Sequence, residues 1–169
     1  TMPVPDRHLF DVDALQSYLQ PRLPDFKGPL SVECFKGGQS NPTFRLNTPT
    51  RSYVMRSKPG PVAKLLPSAH AIEREFRVQR ALAGSAVPVA AIHVLCEDEA
   101  IIGAGFYVMD FVDGDIFREQ SLPGLEPAQR AARYDAMNAG IAALHMLDVD
   151  ALGLRDYGRS SKYFARQID

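Results

Sequence analysis

Between residues 30 and 61 three short apolar stretches are broken by turn residues at close spacing, and nothing else in the chain restricts its fold as tightly. Residues 30–36 read as a strand that runs into Gly37-Gly38. Residues 43–46 read as a second strand, followed by a turn over 47–51, and residues 53–57 as a third, closed by Pro59-Gly60-Pro61. Turns this tight leave no room for the crossover that parallel pairing needs, so the three strands read as an antiparallel meander.

The flanking segments extend the pattern. Asp11 is placed to cap a short amphipathic helix carrying Val12, Leu15 and Leu19, which ends at Pro21, and residues 24–29 form a linker. Ser68 is placed to cap a helix running to about Ala83, with Gly84 as its stop. Two more strands, 92–96 and 106–112, are joined through Glu97-Asp98-Glu99, and Asp113-Gly114-Asp115 forms a turn. Pro127 opens a helix that runs to about Leu147, and 153–169 reads as loop with a last helical turn. Three strands, one helix, two strands and then helix make an α+β chain rather than an alternating βαβ one. The divisions expected are 1–27 (helix and linker), 28–112 (sheet and packed helix) and 113–169 (mostly helical).

Composition mainly excludes. The formal net charge is -1 with acids and bases interspersed, which offers neither a basic footprint for nucleic acid nor a polybasic stretch for a membrane surface. No apolar run approaches the ~20 residues of a membrane span. Cys34 and Cys96 stand alone in strand-like runs, so they are expected to be reduced, buried thiols of a cytoplasmic protein. His8, His70, His93 and His145 have no neighbour at metal-ligand spacing. His145 shares a helix face with Tyr134, Met137, Ile141 and Leu144 and is expected in the core.

Four places can carry chemistry. Gly37, Gly38, Gln39, Ser40 and Asn41 lie between two strands, where paired glycines let backbone approach a ligand and free N–H groups can cradle phosphate. No Lys-Ser/Thr follows, so this is not a Walker A loop, and a plain hairpin turn explains it as well. Arg56 shares a strand face with Val54 and needs an anion or water there. Glu75 falls with Gln79 inside the apolar face formed by Ile72, Phe76, Leu82 and Ala83, whereas Glu73, Arg74, Arg77 and Arg80 fall outside it as a solvated rim. A carboxylate on a packing face asks for a cation, and Arg56 is the natural donor; a half-exposed Glu75 at the edge of the stripe is the alternative. Finally, the strand over 106–112 runs into an acidic turn, where backbone groups past the strand are free to meet a flat base or simply to turn.

The stretches GGQSNPTFRL, YVMRSKP, LLPSAHAIEREFRVQRALAGSAVPV and FYVMDFVDGDIF occur in this order and closely resemble the aminoglycoside phosphotransferase (APH) family, in particular the branch related to the domain fused to some acyl-CoA dehydrogenases. The resemblance covers about residues 28–166. It implies a protein-kinase-like N-lobe, an antiparallel sheet of about five strands with one packed helix, followed by the first helices of a C-lobe. It also implies ATP and Mg²⁺ as cofactors, a small-molecule hydroxyl as acceptor, and the remaining C-lobe of the same protein as partner.

By the same resemblance, Gly37, Gly38, Gln39, Ser40 and Asn41 match the loop over the ATP phosphates, Arg56 the strand cation on the α/β-phosphates, and Glu75 the acid that orients it. Met109 matches the gatekeeper, and the backbones of Asp110 and Val112 match the groups that bind adenine. The family's His-Gly-Asp catalytic loop and its Mg²⁺-binding Asp have no match in the sequence and are expected downstream. The reading is the nucleotide-binding portion of an ATP-dependent phosphotransferase acting on an aminoglycoside-like or hydroxyacyl-type acceptor. The alternative is a non-catalytic nucleotide-binding or interaction module of the same fold.

Overall fold

The computed structural model describes residues 1–23, 25–37, 41–59 and 71–158. The chain divides into two units: residues 1–80 with 90–112, and residues 81–89 with 113–169.

The first unit is a five-stranded sheet with helices. Its strands are β1 (Ser31–Cys34), β2 (Thr43–Asn47), β3 (Ser52–Ser57), β4 (Ile92–Cys96) and β5 (Phe106–Asp110), in the order β1-β2-β3-β5-β4. Every neighbouring pair is antiparallel, and the first three strands form the meander that their short turns require. β5 slots between β3 and β4, which leaves β4 as an edge. At the opposite edge Met2 exchanges two 2.8 Å backbone hydrogen bonds with Cys34, so the N-terminus covers part of β1.

Alternation sends the two faces of this sheet to different partners. Helix α1 (Val12–Leu19) is capped by Asp11, whose carboxylate accepts from the Ala14 N–H at 2.9 Å. Its Leu15 and Leu19 are fully buried with Phe44, Leu46, Tyr53, Met55, Phe106 and Val108 in the main core. Cys34 and Cys96 are free thiols in that same core, and burial pushes the Cys34 thiol up from its ordinary value. Helix α2 (Ile72–Leu82) serves the other face, where Ile72 and Phe76 pack with Tyr107 beside Ile92, Leu95 and Met109.

Two strands are shorter than their apolar runs imply. β1 does not extend over 30–36, because the Leu30 N–H is taken by the Gln16 side chain at 2.8 Å and Gly37 turns the chain at φ +93°. β5 stops at Asp110 rather than 112, because its last paired residues are Asp110 against Tyr53 and Met109 against Ile92. The predicted helix start at Ser68 lies outside the described residues.

In the second unit, α3 (Pro127–His145) begins with a capping box between Glu126 and Gln129 and has Pro127 in its first turn. None of its residues is buried. Among the described residues, Tyr134, Met137, Ile141 and Leu144 are exposed, and so is His145. A shared helix face establishes which residues point together but not that anything covers them. No helix among the described residues is long and apolar enough to cross a membrane.

Candidate functional site

Strand register sets the site. Arg56 on β3 lies opposite Thr43 on β2 and opposite Tyr107 on β5, so the three side chains form a row on the α2 face. One helical turn separates Glu75 from Gln79, and both point at this row.

Glu75 is the hub. Arg56 Nε stands 2.6 Å from Glu75 Oε2, and Arg56 Nη2 donates to Oε1 at 3.4 Å. The Nε–H is not aimed at its carboxylate neighbour, so that short contact is an ion pair rather than a directed hydrogen bond. The Tyr107 hydroxyl donates to Oε2 at 3.0 Å, and Asn41 Nδ2 donates to Oε1 at 3.1 Å. With both oxygens engaged, Glu75 is a fixed anchor and not a base waiting for a proton. Arg56 Nη1 also donates to Thr43 Oγ1 at 3.3 Å. The guanidinium is thus held on two sides, yet its side chain keeps 32% of its exposure. A pair this open to water contributes only about 1 kcal/mol to folding. What it secures is direction: a planar cation held by Glu75 and Thr43 and still partly open to solvent can receive an anion.

Tyr107 explains how the hub stays dry underneath. It is fully buried, accepts from Gln79 Nε2 at 3.1 Å and donates to Glu75. Burial first, and the Glu75 charge second, push its phenol up to about 12. Tyr107 therefore remains a neutral donor throughout the physiological range.

The expected residues divide into three groups. The structure brings Asn41, Arg56 and Glu75 together, with Asn41 buried at 4% exposure. Gly37 adopts φ +93° just before them, a conformation that suits glycine, whereas Gly38, Gln39 and Ser40 lie outside the described residues. Met109 packs on the α2 side against the Ile72, Phe76 and Tyr107 cluster. The Asp110 N–H donates to the Ala91 carbonyl at 2.8 Å, so that N–H is already taken. Val112 lies past the strand and is 68% exposed.

Sequence reasoning missed Thr43 and Tyr107, although alternation along β2 and β5 put each on a definite face. It also placed Glu73 on a solvated rim, but Glu73 is ion-paired with Lys58, which adds a second bridge between the end of β3 and α2. A separate cavity of about 160 Å³, lined by Phe10, Phe44 and Lys58 among others, includes none of Arg56, Glu75 and Tyr107. Among the described residues no group of three His, Cys, Asp or Glu could hold a metal ion, so Mg²⁺ is assigned no ligand here.

The sequence profile of the phosphotransferase enzyme family (APH) matches residues 31–169. Acyl-CoA dehydrogenase family member 10 of Mus musculus is 44% identical over 169 residues, which are 99% of this chain and 16% of that protein. Acyl-CoA dehydrogenase family member 11 of Rattus norvegicus is also 44% identical, over 99% of this chain and 22% of its own length. A crystal structure of a candidate aminoglycoside phosphotransferase from Ralstonia eutropha is 54% identical and aligns with a TM-score of 0.80, covering 95% of this chain and 45% of that one. The chain therefore spans less than a quarter of either dehydrogenase-family relative and under half of the solved structure.

Proposed function

The chain belongs to the phosphotransferase enzyme family (APH), with a kinase-like α+β fold, and from that premise we propose that it is the ATP-binding portion of a small-molecule kinase. The observation that carries this reading is the Arg56–Glu75 pair, 2.6 Å apart on the α2 face, whose carboxylate also accepts from Asn41.

The fit to a nucleotide is argued from donors. Arg56 offers a charged planar fork whose orientation Glu75 and Thr43 fix. Asn41, just before β2, donates to the same carboxylate. Successive backbone N–H groups over 37–41 would complete the phosphate cradle. Past β5, the Asp110 carbonyl and the Val112 N–H would meet the edge of the base, with Met109 behind them. ATP, when bound, supplies the phosphoryl group that is transferred.

The contribution of these residues is positioning and charge neutralisation, which dominate phosphoryl transfer. A guanidinium locked before substrate arrives loses little entropy on meeting a phosphate. The acceptor's proton must go to a base, and Glu75, with both oxygens already engaged, is not that base. The acceptor is proposed as a hydroxylated small molecule of amino-sugar or hydroxyacyl type, bound outside the described residues.

Arg56→Ala in the intact protein tests this reading. ADP release is measured with amino sugars and hydroxyacyl-CoAs as acceptors, and kcat/KM for ATP is expected to fall about tenfold or more. Unchanged kinetics would remove Arg56 from the role. Mg-ATP binding without phosphoryl transfer to any acceptor would favour the non-catalytic module instead.

A further inference from the structure

The end of β5 carries a second charged cluster, separate from the Arg56 hub. Asp110 Oδ1 receives Arg51 Nη2 at 2.5 Å and His93 Nε2 at 2.7 Å. The three side chains come from three places: the turn before β3, the edge strand β4 and the last residue of β5. Beneath them, Arg51 lies 4.7 Å from the Tyr53 ring centre, and the His93 ring meets the same ring edge-on at 5.9 Å. Asp25 adds a weaker contact to Arg51 at 3.6 Å.

The backbone is adapted to this arrangement. β4 pairs Ile92 with Met109 and then Val94 with Val108, so His93 is an extra residue without a ladder partner. Such a bulge gives up a ladder position and re-aims a side chain. Here the bulged residue is the one that reaches Asp110. Asp110 is thereby tied at its carboxylate from two sides and at its N–H by Ala91. The last residue of a strand ordinarily frays, whereas this one is held at its carboxylate and at its N–H.

We propose that Arg51 and His93 are positioning residues for the base of the nucleotide: by clamping the Asp110 carboxylate they fix the peptide whose carbonyl meets the base. The inference rests on the nucleotide reading above and adds residues to it. Neither residue touches the ligand. Both act through Asp110, and misplacement of a recognition group by even half an ångström weakens what it binds.

The clamp and the Arg56 hub serve different ends of the ligand, and that separates their effects. Mg-ATP carries both base and phosphates, whereas Mg-tripolyphosphate carries phosphates alone. Each is titrated into the intact protein. His93→Ala is expected to weaken Mg-ATP binding about three- to tenfold, the fold-change of one modest hydrogen bond, and to leave Mg-tripolyphosphate unchanged. His93→Gln, which keeps an N–H donor, is expected to recover most of the Mg-ATP affinity. Should His93→Ala not fold, Arg51→Lys is read in the same way, since a shorter cation loosens the clamp without removing its charge. Equal weakening of both ligands, or unaltered Mg-ATP affinity in these variants, overturns the clamp alone. A wild-type protein that binds no Mg-ATP overturns the nucleotide reading, and the clamp with it.

Discussion

Met55 and Arg56 are neighbours on β3 and face opposite sides of one sheet. Met55 is fully buried with Leu15, Phe44 and Phe106 on the α1 side, where only apolar groups are needed. Arg56 faces α2, where among the described residues Ile72, Phe76 and Tyr107 form a small core and Glu75, Gln79, Thr43 and the Tyr107 hydroxyl form a polar array beside it. One face contributes stability through burial. The other contributes a fixed array of charges and donors, which adds little to stability because the pair at its centre is a third exposed. The pleat alone thus separates the apolar core from the polar array proposed to hold a nucleotide.

The sharpest way to break that division is to truncate one residue on each side. Phe44→Ala, on the α1 face at 1% exposure, is expected to cost about 3–5 kcal/mol in denaturant unfolding of the intact protein. Arg56→Ala is expected to change unfolding by only about 1 kcal/mol while giving the loss of kcat/KM described above. If Arg56→Ala destabilised as much as Phe44→Ala, the two faces would not differ in kind.

A smaller effect concerns pH. The Tyr107 phenol is raised in the fold above its ordinary value of 10 to about 12, so the folded state favours the neutral form. Its contribution to stability is complete below pH 10 and is lost as pH climbs from 10 towards 12. Tyr107→Phe is expected to make unfolding less steeply dependent on pH across that window, as read by thermal melts. An equally steep profile in the variant would mean that the hub does not hold this proton.

The legible parts of the molecule were those that local physics decides. The meander followed from turn spacing, and α1 from an Asp cap and a leucine stripe. The Arg56–Glu75 contact followed from a carboxylate that helical periodicity places among apolar neighbours. Tyr107 was on the correct face by alternation, yet alternation does not say which face α2 will cover, so its hydroxyl could not be assigned to Glu75. The Arg51–Asp110–His93 cluster was beyond reach for a different reason. It depends on a bulge at His93 that breaks the period-two rule, and it joins residues 59 and 17 positions apart in sequence. For His145 a shared helix face says which residues point together and not what packs over them, and no described residue buries it. Gly38, Gln39 and Ser40 lie outside the described residues, so their place in the phosphate cradle rests on the family resemblance.

The central claim is that the cation opposite Tyr107 holds a nucleotide only because the α2 carboxylate aims it, and a thermodynamic cycle on Mg-ATP binding to the intact protein measures this most directly. Arg56→Ala, Glu75→Ala and the double variant are titrated beside the wild type. The account predicts that each single change weakens binding about tenfold and that the double change adds little further, a coupling of about 1 kcal/mol or more. Fully additive losses, or wild-type affinity in Arg56→Ala, would contradict it.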